Sequence, residues 1–168
     1  HAKYFLTILG NCILNKKDKN IYFADSSFKD FLNNLNTHIL HVTGKNILSD
    51  IFKFKYYNHQ LGHCRILDVY EPRLNSNFIN DKTYDILVVS SYCAHRFGSS
   101  DDFLKKHCKD KIFVDNALYL YTNNKNRAIL NNFYTEFTLP STDSNEYNIS
   151  YKFIYFLWRQ FLKKHNLP

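Results

Sequence analysis

Two aspartates stand at the ends of short apolar runs. Asp25 closes Ile21 to Ala24 (IYFA), and Asp68 falls at the end of Arg65 to Val69 (RILDV). Where such runs are strands of a nucleotide-binding sheet, a carboxylate after one strand can accept both ribose hydroxyls. A carboxylate after the next can accept an adenine amino group. Singly, each aspartate is also an ordinary helix cap or turn former; as a pair at matching strand ends they carry more weight. Gly10 follows the apolar run Tyr4 to Leu9, in LGNC. Cofactor turns use two or three glycines so that backbone can approach the ligand, and here there is one. His95, in SSYCAHRFGSS, follows the strongly apolar YDILVVS and suits stacking or hydrogen bonding to a base. Its plain alternative is a surface histidine capping a loop. Glu146 and Tyr147 lie in a polar loop before the last apolar stretch, where a helix-start acid and a packing aromatic are equally ordinary.

Other constellations point to less. His59, His63 and Cys64 form an H-x3-H-C cluster, and His107 adjoins Cys108. Zinc needs four converging ligands, usually in tighter pairs, so no metal is expected. There is no Walker loop and no Ser-His-Asp arrangement. The four cysteines (Cys12, Cys64, Cys93, Cys108) lack CxxC spacing, which suits a reduced intracellular protein.

These residues need elements to position them. Tyr4 to Leu9, Ile21 to Ala24, Arg65 to Val69 and Tyr84 to Ser90 read as strands, the last apolar on both faces as in a central parallel strand. Lys111 to Tyr121 and Asn132 to Leu139 read as a later strand pair. Phe28 to Leu35, Ile47 to Tyr57, Ser99 to Cys108 and Ser150 to His165 read as helices, with Phe153, Ile154, Leu157, Trp158, Phe161 and Leu162 as the buried stripe of the last. The expected fold is α/β and Rossmann-like: a mostly parallel twisted sheet with helices on both faces and a late antiparallel strand pair. Ligands bind such sheets at the carboxyl ends of the strands.

The 168 residues suit one domain, 1–168. Absence of Met and a His-Ala start read as a segment cut from a longer protein. Lys and Arg outnumber Asp and Glu by 22 to 15, a formal charge of +7, which suits a polyanionic partner such as nucleic acid. No apolar run reaches the ~18 residues of a membrane span, so no membrane association is expected.

Two segments resemble the mRNA cap guanine-N7 methyltransferases. YDILVVSSYCAHRF, residues 84–97, is similar to that family's fourth strand and the loop after it, with His95 on the family's histidine. FTLPSTDSNEYNISYKFIYFLWRQFLKKHNL, residues 137–167, is similar to the family's tail, with Glu146 and Tyr147 on its Glu-Tyr. Asp25 then matches the acid that holds the ribose of S-adenosyl-L-methionine, and Asp68, beside Val69, the acid that contacts its adenine. Departures are plain: the glycine-rich motif is reduced to Gly10, Ser91 and Tyr92 replace Gln and Phe, Arg96 replaces Tyr, and Asn145 replaces Pro. Residues 37–63 read as an insertion. A divergent viral member, of nidovirus or torovirus type, is consistent with these losses. It implies host cytoplasm and partner subunits of a viral replication complex.

The resemblance implies methyl transfer to guanine N7 of an RNA cap. Glu146 would accept the guanine N1–H and amino group, with His95 and Tyr147 positioning the base. Gly10, Asp25, Asp68, Val69, Ser91 and Tyr92 would hold the cofactor, and Arg96 would meet the triphosphate of the GpppN end. Two alternatives stand beside it. ILDVYEP and Cys93 resemble the rhodanese pattern, with Cys93 heading a catalytic loop. A non-catalytic Rossmann-like domain that binds RNA or protein is the other, supported by the scarcity of glycine around Gly10.

Overall fold

The computed structural model describes residues 2–16, 19–68, 76–125, 127–137, 149–165 and 167, with the backbone alone for 76–80. Among these residues the protein is a mixed α/β domain built on a three-stranded, wholly parallel sheet. In chain order the elements begin with helix α1 (Ala2–Ile13), strand β1 (Ile21–Ala24) and helix α2 (Lys29–Thr43), followed by strands β2 (Phe52–Lys53) and β3 (Cys64–Leu67). Then come helix α3 (Ser76–Phe97), α4 (Ser100–Asp102) running into a π-helical turn, α5 (Lys111–Ala117), α6 (Tyr119–Thr122), α7 (Ala128–Phe137) and α8 (Tyr151–Lys164). The strand order is β2-β1-β3, with β1 central.

Register decides which residues face which layer. Tyr22 pairs with Arg65, Phe23 with Ile66, and Ala24 with Leu67. Successive side chains alternate between faces. Tyr22, Ala24, Phe52 and Leu67 pack into the larger core with Tyr4, Ile8 and Leu9 of α1, Leu32, Leu35 and Ile39 of α2, and Phe113 and Ala117 of α5. Phe23, Cys64 and Ile66 face the other way, onto Leu120 and Tyr119 of α6, Ile129 of α7 and Leu167. Both faces of the sheet are therefore covered.

Five of the predicted elements are found, one of them much extended. Ile21–Ala24 is a strand, and Arg65–Leu67 lies in β3. The predicted helix from Phe28 extends to Thr43, absorbing the apolar run at Ile39 to Val42. The last helix starts where Ser150 Oγ accepts the Phe153 N–H. The predicted start at Ser99 is a capping box with Asp102, the Ser99 hydroxyl and the Asp102 carboxylate each taking the other's backbone N–H.

Five expectations are corrected. Tyr4 to Leu9 is helical, lying within α1. Tyr84 to Ser90 lies within α3. Lys111 to Tyr121 forms α5 and α6, and Asn132 to Phe137 belongs to α7, so no late antiparallel strand pair exists among the described residues. Ile47 to Tyr57 is no helix; it holds turns and β2. The reason is clearest in α3. Its buried positions are Thr83, Ser90, Cys93 and Ala94, at helical spacing, while Tyr84 and Val88 are exposed. Small residues sit inside because α1 crosses there. An apolar run scored by hydropathy alone reads as a buried strand, although here Tyr84, Val88 and Val89 are exposed while Ile86 and Leu87 pack half-buried against the core.

Gly10 marks that crossing. It is a buried helical residue of α1 and not part of a turn after a strand. A Cβ at this position would collide with the Ser90 carbonyl oxygen and lie 2.8 Å from Ala94 Cβ. Asn11 Nδ2 donates to the Gly98 carbonyl at 3.1 Å, and Lys16 Nζ to the Ala94 carbonyl at 2.7 Å, fixing the same contact.

A polar staple holds the N-terminal ends of β1 and β3. Arg65, buried in β3, forms two parallel bonds to Asp101 of α4, Nε–Oδ1 at 2.8 Å and Nη2–Oδ2 at 2.6 Å. Its Nη1 donates to the Gly62 and Cys64 carbonyls, and its guanidinium lies 4.4 Å from the Tyr121 ring centre. Burial pulls this guanidinium down, but the Asp101 bonds and charge outweigh it, leaving its pKa raised. Tyr22 Oη and Ser100 Oγ share a buried hydrogen bond of 2.6 Å.

Candidate functional site

The carboxyl ends of β1 and β3 open into a cleft. Ala24 and Leu67 are register partners, so Asp25 and Asp68 follow them side by side. Both line a cavity of about 240 Å³, together with Ser26, Phe54, Leu162 and Lys163. The structure thus brings these two aspartates to one cavity at matching strand ends. Lys163 and Leu162 come from the last turns of α8, so that helix forms one wall.

Asp25 has a local task as well. Its Oδ1 accepts the Ser27 N–H at 2.8 Å and caps the 3-10 turn Ser26–Phe28. The Ser27 hydroxyl, the Ser27 N–H and then the Ser26 N–H hold its carboxyl below the usual range, against the smaller effect of burial. The carboxyl group is thus ionised and oriented. Asp68 is half-buried. Two acceptors and one ammonium donor around a small concave space suit a ligand rich in hydroxyl or amino groups.

A second hollow of about 510 Å³ adjoins the first. It shares Leu162 and Leu167 with it and is otherwise apolar, lined by Tyr56, Leu61, Leu120, Ile129, Leu130 and Trp158.

The other predicted site residues that the structure describes do not line the cleft. Gly10 is used in the α1–α3 crossing. Ser91, Tyr92, His95 and Arg96 lie on α3, which packs on α1 and α2. His95 is exposed on that helix and does not follow a strand. Arg96 Nη1 donates to Tyr92 Oη at 2.8 Å, one helical turn back. Val69, Glu146 and Tyr147 lie outside the described residues. Sequence reading missed Lys163, Leu162, Leu167 and Phe54. Lys163 carried no distinguishing signal, since a lysine in a last helical turn is ordinary.

Cys93 is buried within α3 and heads no loop, and burial pushes its thiol up. An activated thiolate needs the opposite shift, so burial and helix position give the rhodanese-like alternative no support. Among the described residues no three His, Cys, Asp or Glu side chains converge as a metal site. No described helix is long and apolar enough to cross a membrane.

The sequence matches no family model, and no curated protein or solved structure is significantly similar to the chain.

The α8 wall is held by Glu136 of α7, whose oxygens meet Lys164 Nζ at 2.7 Å and His165 Nε2 at 3.0 Å. The Lys164 bond first, then the His165 bond, lowers the Glu136 carboxyl from its ordinary value near 4.5. A lowered folded pKa contributes stability above the unfolded value, and that contribution is lost as pH falls through the folded one. Because the Lys164 side chain is 62 % exposed, Glu136→Gln should cost under about 1 kcal/mol at about pH 7. That gap should shrink at a second, acid pH below the ordinary value of 4.5. Urea midpoints of both proteins at the two pH values check this; an equal gap at both would exclude the ion pair as its source.

Proposed function

We propose that the strand-end cleft holds the adenosine part of S-adenosyl-L-methionine, and that the domain is a Rossmann-like methyltransferase acting on guanine N7 of an RNA cap. The observation that carries this is the pairing of Asp25 and Asp68 beyond adjacent parallel strands in one cavity. Ligands of open parallel sheets bind there, and the resemblance of residues 137–167 gives the reaction; residues 84–97 are helical where that family has a strand and add no support. The fit to the cofactor is partial. Two carboxylates accept a ribose diol and an adenine amino group, as the ligand requires. At about 240 Å³ the cavity is smaller than the ~300–1,000 Å³ of a site enclosing a whole small molecule, so it takes the ribose and base edge only.

When bound, the cofactor supplies an electrophilic sulfonium methyl. Guanine N7 already carries a free lone pair, so no side chain has to remove a proton before attack. The protein's part is alignment: N7 held in line with the methyl carbon and sulfur at about 3 Å. Asp25 and Asp68 fix the ribose and adenine, with Asp25 itself locked by its Ser27 cap. Lys163 at the cleft wall is a cation at hand for a phosphate. Glu146 and Tyr147 keep the base-recognition roles the resemblance gives them; His95, exposed on α3 and off the cleft, does not.

Calorimetry with S-adenosylhomocysteine tests the reading. Asp68→Asn should weaken binding by about ten- to a hundredfold, the value of a hydrogen bond to a charged group. The melting temperature of Asp68→Asn, read beside its affinity, separates loss of a ligand contact from loss of fold. Absence of binding by the unaltered protein would end the cofactor assignment.

A second reading has its own support. Gly10 is spent on helix packing and His95 lies off the cleft, which favours a non-catalytic domain that binds a nucleoside or RNA. Methyl transfer to GpppRNA separates the two: binding of S-adenosylhomocysteine without turnover selects the second.

A further inference from the structure

Helix α8 has more exposed aromatic surface than a helix needs to pack. Its sequence, YKFIYFLWRQFLKK, holds four cations and no acid. Phe161 is buried, with Trp158 and Leu162 half-buried behind it. On the outer side Tyr151 is 80 %, Phe153 52 %, Tyr155 52 % and Phe156 54 % exposed. Spacings of three and four place residues on one stripe of a helix. Lys152, Phe156, Arg159 and Lys163 follow that spacing, so cation, aromatic, cation and cation succeed one another. Tyr151 and Tyr155 flank the stripe, their rings 20° from parallel with centres 6.4 Å apart. The stripe ends at Lys163, at the lip of the strand-end cleft.

We infer that this face of α8 binds single-stranded RNA. Proteins that hold single strands combine a cationic track for the backbone with aromatic rings on which bases stack. The excess of cations in the whole chain, +7, points the same way. A helix that lies in a membrane surface sorts its aromatics and cations onto opposite faces, whereas here they alternate along one stripe. At ~1.5 Å per residue, Lys152 to Lys163 spans about 16 Å, the length of roughly five stacked nucleotides at ~3.4 Å each. This inference does not need the cleft to hold a cofactor, and its test uses RNA without a cap and without any cofactor. Failure of either proposal is therefore visible on its own.

The experiment is fluorescence anisotropy with a fluorescein-labelled, uncapped, mixed-sequence 12-nucleotide RNA, titrated at several salt concentrations. Three phosphate contacts predict that log affinity falls with log salt at a slope of about −2, at roughly −0.7 per contact on a single strand. The double variant Lys152→Ala/Arg159→Ala should flatten that slope to about −0.7. Phe156→Ala should weaken binding by about five- to a hundredfold. Phe156→Trp should preserve affinity, and Phe156→Leu should lose as much as alanine, because a base stacks on a ring and not on a branched chain. Phe156 is exposed, so melting temperatures should stay near that of the unaltered protein; Phe153→Ala serves if Phe156→Ala melts early. An unchanged salt slope in the double variant, or full affinity in Phe156→Leu, overturns the inference. So does variant-sensitive binding to phosphatidylserine vesicles in place of RNA.

Discussion

Arg65→Met is expected to remove about 3–5 kcal/mol from the unfolding free energy, the usual cost of deleting one partner of a buried ion pair. The guanidinium side chain is only 3 % exposed, against 20 % for Asp101. Methionine fills much the same volume but leaves Asp101 without its two parallel donors, and the Gly62 and Cys64 carbonyls without theirs. It also removes the cation from the face of Tyr121. Arg65→Lys should fall between, since a single ammonium cannot reproduce the fork. Arg65→Met/Asp101→Ala should recover part of the loss, because the stranded carboxylate is then gone. Urea unfolding followed by circular dichroism measures all three. A loss below about 1 kcal/mol for Arg65→Met would show that the pair is not the staple described above.

Gly10→Ala should destabilise by about 2–3 kcal/mol, although the same change on an open helix gains about 1 kcal/mol. The sign reverses because the new methyl meets backbone. The nearest atom is the Ser90 carbonyl oxygen, fixed in α3 by helical hydrogen bonding, and the next obstacle is Ala94 Cβ. Overpacking of this kind costs about 1–3 kcal/mol, more where nothing can yield. Ser90→Gly should not rescue it, since that change removes a side chain and leaves the carbonyl in place. A neutral or stabilised Gly10→Ala protein, read from urea midpoints, would mean that α1 and α3 can separate without cost.

The sequence carried the parts of the fold that local chemistry writes plainly. Asp25, Ser99 and Ser150 mark helical starts because a side-chain oxygen must satisfy a free N–H there. Ile21 to Ala24 and the run into Asp68 are short, β-branched or aromatic, and followed by an acid, so both strands and the paired aspartates were legible. Asp110 was an unread signal: it caps α5 by accepting the Phe113 N–H at 3.0 Å, and marks as helical a run that hydropathy scores as strand. Tyr84 to Ser90 was illegible for a different reason. Its burial follows size, with Ser90 and Ala94 inside and Tyr84 and Val88 outside, and size matching is set by α1, a partner eighty residues away in the chain. Arg65 looked like a strand-surface cation; nothing local announces that its carboxylate waits in α4. For the cleft, Asp25 and Asp68 were visible because they end strands. Lys163, Leu162 and Leu167 enter only through the path of α8, which the sequence order does not reveal.

The polar staple sits at one end of the two long strands. Tyr22 and Arg65 tie their beginnings to α4, while Ala24 and Leu67 end at the cleft. Amide hydrogens should therefore exchange slowly at the stapled end and faster toward the mouth, a gradient of opening free energy within four residues. An occupant seated between Asp25 and Asp68 would slow the fast end selectively, so a ligand would announce itself as a levelling of that gradient before any change in the global melt.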